Sequence, residues 1–215
     1  MKILLVRHGQ SIANINKRQE VGVPDHLVYL TDEGKRQIHQ TARFMKDYFN
    51  QEQVDAKRCR MWVSPFIRTR QTSEIMNEYL GWSDVKEDGR LVEQSFGLFD
   101  GVPRQRWNEM FPLETAHLIK LREEKASYWA RFPMGENPLD VAVRVKSFFS
   151  TIMRDYNKHG IDTLIIITHG VTLRVFTMEW LHYAYEWYEE ERNPKNGAVR
   201  LIESREDKGY LFTPG

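Results

Sequence analysis

The fold class expected of this 215-residue sequence is α/β: a three-layer sandwich with a mostly parallel central sheet and helices on both faces. Three observations carry that expectation. Short apolar runs alternate with stretches of helical spacing along the whole chain, the pattern of strand–helix units around a covered sheet. Two of the runs, residues 3–6 and 164–167, end in the same way, in a histidine followed by a glycine and then a helix-compatible stretch. The composition, 41% hydrophobic and 12% aromatic, suffices for a sizeable core in one domain spanning 1–215.

The elements follow in order. The strand at 3–6 gives way to a polar loop at 10–29. A helix at 31–49 starts with Thr31 as N-cap and Asp32 and Glu33 in its first turn, and buries Ile38, Ala42, Met45 and Phe49. A strand at 59–63 runs into a helix at 66–79, with Ser64 as N-cap and Pro65 in the first turn, where a missing N–H costs nothing. Residues 85–87 read as a short strand. A long helix at 138–156 carries Val141, Val145, Phe148 or Phe149, and Ile152 at helical spacing. The strand at 164–167 leads to a helix at 171–181. Residues 199–202 and 210–212, separated by 203–209, read as a terminal hairpin or edge strands. There is no linker, repeat or low-complexity tract.

Charge and cysteine usage exclude several function classes. With 31 basic and 30 acidic residues the net charge is +1, so no global field draws nucleic acid or an anionic membrane. The lone Cys59 permits no internal disulfide and no zinc cluster, which points to a reducing compartment and a cytoplasmic protein. The N-terminal apolar run is stopped by Arg7, too short for a signal peptide or a membrane span.

The chemistry sits at the strand ends. In open α/β sheets ligands bind beyond the carboxyl ends of strands, and Arg7-His8-Gly9 stands there. A neutral imidazole is a competent nucleophile toward phosphorus without a second base, and Arg7 offers a fork of donors for two phosphoryl oxygens. Gly9 lets backbone and ligand approach closely. Taken alone, the tripeptide is a weak signal and reads more readily as a charged surface strand end. The second strand ending, Thr168-His169-Gly170, changes the balance: parallel strands bring His8 and His169 together, whereas His26, His39, His117, His159 and His182 lack that setting. Arg68, near the start of the 66–79 helix, can reach the same edge and add to the helix dipole in holding an anion; Arg70 reads as a solvated helix charge.

These segments resemble the histidine phosphatase superfamily, the group that includes phosphoglycerate mutases and related acid phosphatases. The matching residues span nearly the whole chain: Arg7 to Ser11 with Asn14, Leu30 to Gly34, Ser64-Pro65 with Arg68 and Gln71-Thr72, Leu91 to Glu93 with Phe96-Gly97 and Gly101, Pro133, Gly135-Glu136, Asp140, Arg144, and Thr168 to Gly170 with Arg174. The resemblance implies a phosphoglycerate mutase-like fold and phosphorylation of His8. It implies that Arg7, Arg68 and His169 bind the transferring phosphoryl group, with Asn14 and Gly170 in the substrate-binding set, and that Glu93 donates the proton. Without it Glu93 is an ordinary loop acid beside Glu87, Asp88 and Asp100. Two arginines and a second histidine make a sufficient cradle for three equatorial oxygens, so neither metal nor cofactor is called for.

The partner expected is a small phosphorylated metabolite; a homodimer is left open. The 102–132 stretch, with Arg104, Arg106, Trp107, Phe111, Arg122, Lys125, Trp129 and Arg131, reads as a substrate cap or as an amphipathic excursion packing Leu118, Leu121 and Trp129 inward. Lys17 and Arg18 flank the mouth, for substrate or for solvent. In phosphoglycerate mutases an arginine directly follows the glutamate and a tyrosine stands three residues beyond it; here those places hold Gln94 and Phe96. That difference favours a phosphatase over a mutase. A non-catalytic phosphate-ester-binding module is the reading from a different class.

Overall fold

The computed structural model describes residues 1–15, 23–82 and 84–215; Lys17 and Arg18 lie outside them. Its elements are β1 (Lys2–Arg7), α1 (Asp32–Gln51), β2 (Cys59–Val63), α2 (Ile67–Leu80), β3 (Val85–Glu87), α3 (Trp107–Met110), α4 (Pro112–Glu123), α5 (Pro138–His159), β4 (Thr163–Thr168), α6 (Gly170–Leu181), α7 (Tyr185–Glu190), β5 (Val199–Glu203) and β6 (Glu206–Phe212).

One six-stranded sheet has the order β3-β2-β4-β1-β5-β6. The first four are mutually parallel, and β5 and β6 add antiparallel at one edge. Alternate side chains of the central strands feed two cores. Ile3, Leu5, Leu164 and Ile166 pack with Val145, Phe148 and Ile152 of α5 and with Leu173 and Phe176 of α6. Leu4, Val6, Ile165 and Ile167 pack with Ile38, Ala42 and Met45 of α1 and with Met76 of α2. Each large aliphatic buried in this way contributes about 1.5–3 kcal/mol, which is why the period-2 strands and the period-3.6 helices lock together. The expected three-layer sandwich is the observed one.

Local chemistry accounts for the element ends. Thr31 Oγ1 accepts from Gly34 N at 3.0 Å and caps α1 as expected. Asn137 and Asp140 form a reciprocal capping box at the start of α5. Ser64 does not cap α2. The cap position is Phe66, and the Ser64 hydroxyl is spent on His169 instead. The closing hairpin is tighter than the sequence suggests: Ser204 and Arg205 alone connect the strands, both at positive φ, as a two-residue hairpin turn requires. Residues 206–209 belong to β6, an edge strand, and alternate between exposed and half-buried while remaining polar.

The 102–132 excursion has a small core of its own, Phe99, Leu118, Ala130 and Phe132, with Trp107, Phe111 and Leu121 packed against it. Leu118 and Leu121 point inward as anticipated, while Trp129 is 45% exposed and stacks edge-on against Tyr128 and Tyr185. Among the described residues, no helix is long and apolar enough to cross a membrane.

Candidate active site

β1 and β4 are adjacent, with Arg7 in register with Thr168, so the next residue on each strand is a histidine. His8 N donates to the Thr168 carbonyl at 3.1 Å, and the two imidazoles stand 5.1 Å apart, tilted by 63°. Both are buried. Gly9 is required by the close crossing of α1: a Cβ there would lie 2.4 Å from the Gly34 carbonyl oxygen, and one on Gly34 would lie 2.0 Å from that of Gln10. This pair of glycines sets how closely the loop after His8 seats on the helix.

Hydrogen bonds assign the tautomers. His8 Nδ1 lies 2.7 Å from the Gly9 carbonyl, an acceptor only, so Nδ1 carries the proton and Nε2 keeps its lone pair, with no hydrogen bond to it among the described residues. His169 is the reverse: Nδ1 accepts from Arg68 Nε at 3.3 Å and Nε2 donates to Ser64 Oγ at 2.8 Å. Burial first, then the guanidinium of Arg68, holds both pKa values well below the ordinary value for histidine, so both rings are neutral.

A stability consequence follows from that depression. Below about pH 6.5 an unfolded chain protonates both histidines while the folded protein does not, so each costs up to about 1.4 kcal/mol per further pH unit until its folded pKa is reached. Thermal or urea unfolding is expected to show lower stability at pH 5 than at pH 7, with a shallower dependence in His8→Asn; an equal slope in both proteins would refute the buried neutral His8.

The other expected residues gather around this pair. A cavity of about 340 Å³ is lined by Arg7, His8, Asn14, Arg68 and Glu93, with Phe96, Phe99 and Trp107 as its aromatic wall. Arg7 Nη1 donates to the Pro194 carbonyl, and its buried Nε has no acceptor among the described residues. A buried donor left unpaired is costly, and one facing an anion pocket marks where the anion goes. Asn14 Oδ1 accepts from Ser11 N, Ser11 Oγ and Asn196 Nδ2, which leaves its own Nδ2 as the group able to meet an anion. Glu93 accepts at its carboxylate from Val171 N and Thr172 N, each at 3.3 Å, in the first turn of α6. Arg144 braces the Glu93 loop, donating to the Glu93 and Arg90 carbonyls and pairing with Glu136.

Some expectations are placed elsewhere. His169 and Gly170 lie behind the cavity wall rather than in it; Gly170 packs against the Arg7 guanidinium, where a Cβ would sit 3.5 Å from Cζ. No cap cation lines the His8 cavity. Arg106 pairs with Glu109 and Arg131 with Asp140, while Arg104 and Arg122 flank the Trp107 ring. Arg70 is an exposed partner of Glu87, as read. Sequence reasoning missed Asp25, which grips Arg68, and the 193–197 loop, whose Asn196 and Gly197 bond the His8 carbonyl.

Comparison with known proteins agrees with this geometry. The family model for the histidine phosphatase superfamily (branch 1) matches residues 3–213. The chain belongs to the histidine phosphatase superfamily. Among curated superfamily relatives, it is 32% identical over 228 residues to phosphoglycerate mutase-like protein AT74H of Arabidopsis thaliana, covering 98% of this chain and 76% of that one. It is 30% identical to AT74 of the same plant, spanning 97% of this chain but 66% of the relative's length. It is 24% identical to the broad-range acid phosphatase DET1 of Saccharomyces cerevisiae, over 94% of this chain and 84% of that one. Among solved structures, the alpha-ribazole phosphatase of Shigella flexneri shares the fold at TM-score 0.75 and 16% identity, covering 100% of this chain and 96% of that one. Superfamily members with this fold are phosphatases or mutases.

Proposed function

We propose that this protein is a metal-independent phosphatase that hydrolyses a small phosphomonoester through a phosphohistidine on His8. The observation that carries the reading is the unbonded Nε2 of a neutral His8 in a cavity with the Arg7 and Arg68 guanidiniums. In the first step Nε2 attacks phosphorus, the P–O bond to the leaving group breaks, and the departing alkoxide takes a proton from Glu93. In the second, Glu93 takes a proton from water as it attacks the phosphohistidine, and phosphate leaves with His8 restored. Arg7 Nε, Asn14 Nδ2 and Arg68 meet the equatorial oxygens. His169 backs Arg68, its Nδ1 accepting from Arg68 Nε and so holding that guanidinium in place. These charges supply the stabilisation that a metal would otherwise provide.

Release to water, rather than return to a sugar acid, is supported by the groups beyond Glu93. Gln94 is buried, and its Nε2 is committed to the Glu136 carbonyl at 2.7 Å. Phe96 presents a ring packed edge-on against Phe132. Neither holds out a charge to a carboxylate. The acid-phosphatase relative points the same way.

The test is a panel of phosphorylated metabolites, assayed with and without chelator and scored for free phosphate. It includes 3-phosphoglycerate with and without its bisphosphate, scored for isomerised product as well. Free phosphate unaffected by chelator is the expected result. Isomerisation without hydrolysis would replace the reading by a mutase, and tight ester binding without turnover would replace it by a binding module.

A further inference from the structure

Arg68 is the more deeply enclosed of the two cavity arginines, at 4% exposure, and most of its donors are already taken. Of five guanidinium N–H groups, Nε gives to His169, Nη1 gives to the Asp25 carbonyl at 2.7 Å and to Oδ1 at 3.1 Å, and Nη2 gives to Oδ2 at 3.2 Å. Among the described residues, one N–H is left unbonded, on Nη2. A carboxylate and its own peptide oxygen therefore hold the outer end of the guanidinium, and the edge carrying Nε and the last Nη2 hydrogen is the one turned to His169. On that edge the last Nη2 hydrogen is open to a phosphoryl oxygen, while Nε stays bonded to His169. Arg7 differs: among the described residues its Nη1 bonds a neutral carbonyl and it has no carboxylate in ion-pair contact.

We propose that Asp25 is the positioning carboxylate of the phosphoryl site, setting the edge that Arg68 presents and acting as the resident counter-anion that phosphate must compete with. This rests on the phosphatase reading above. Asp25 lines the same cavity as His8 and is presented from a firm turn. Pro24 precedes it, Leu27 N bonds the Pro24 carbonyl, Val28 N bonds the Asp25 carbonyl, and Leu30 N is held by Gln71 Oε1. Val28 and Leu30 are core residues, so the carboxylate sits on an anchored segment. The pairing has two effects. It orients a guanidinium that a free side chain would let rotate, and it offsets one positive charge in the empty cavity, which keeps product phosphate from being held too tightly.

The test uses the full chain as wild type, Asp25→Asn and Asp25→Glu, with inorganic phosphate titrated calorimetrically and an aryl phosphate as substrate. Asparagine keeps the size but can neither carry the charge nor accept at both atoms. Expected for Asp25→Asn is phosphate binding tightened about tenfold, from loss of a nearby like charge. Its kcat is expected to fall about 10- to 100-fold from the loosened guanidinium while KM is not raised. Asp25→Glu regains most of kcat. The proposal is overturned if Asp25→Asn leaves both quantities within about twofold of wild type. It is also overturned if phosphate affinity, kcat and melting temperature all drop together without rescue by glutamate. Should the wild type turn over no ester, the phosphatase reading fails on its own, and the phosphate titration still decides: tighter binding in Asp25→Asn supports the resident-anion role, and equal or weaker binding ends it.

Discussion

His8→Ala is expected to lose at least about 10⁴-fold in kcat/KM, because His8 supplies the one imidazole that lines the cavity among the described residues. Alkali-stable, acid-labile protein-bound phosphate is expected in quenched wild-type reactions and none in the variant. The substitution leaves the backbone bond from His8 N to Thr168 intact, and the seat of the loop on α1 through Gly9 and Gly34 is unaffected. Circular dichroism is therefore expected to stay native. Substantial activity in His8→Ala would refute the nucleophile assignment, since Arg7, Arg68 and His169 could then support only attack by water.

Glu93→Gln is expected to separate good leaving groups from poor ones. The carboxylate accepts from Thr172 N and Gln94 N at Oε1 and from Val171 N at Oε2; a glutamine oxygen in the Oε1 place keeps the first two and gives up the 3.3 Å bond from Val171 N, while Arg144 still braces the loop through the Glu93 carbonyl. What the amide cannot do is give a proton to a departing alkoxide. An alkyl phosphate, whose leaving group needs that proton, should slow by about 10²-fold or more in kcat/KM, the usual worth of general acid catalysis. An aryl phosphate, whose phenolate leaves unaided, should lose far less in the first step. Equal losses on both substrates would mean that Glu93 acts on binding or on the fold and not on the proton.

The sheet was largely legible in the sequence because the rules that shape it are local. Apolar runs at 3–6, 59–63 and 164–167 fall within observed strands, and Thr31 is a cap because its hydroxyl reaches Gly34 three residues on. The meeting of His8 with His169 was legible for a different reason: two strands with the same ending, run parallel, deliver their ends to one edge. Competition for a hydroxyl was not legible. Ser64 has the right type and place for a cap, yet His169, distant in sequence, takes its side chain. Asp25 escaped notice because a carboxylate in a polar loop carries no periodicity, and its partner Arg68 is far along the chain. The unbroken polar run 206–209 hid the start of β6. Glu93 was found through the family resemblance alone; the bonds that place it run to the first turn of a helix that the sequence does not tie to it.

The strand order has a consequence for how the chain must be made. Of the strands in this sheet β1 is synthesised first, but its two neighbours, β4 and β5, follow only after β2, β3 and the long helix α5. Until those arrive, an almost wholly apolar strand carrying the first histidine has no partner on either edge, the situation that invites pairing with other chains. The site cannot assemble early from a local hairpin. Its nucleophile is made before the rest of the sheet, but its setting exists only once β4 and β5 have closed around β1.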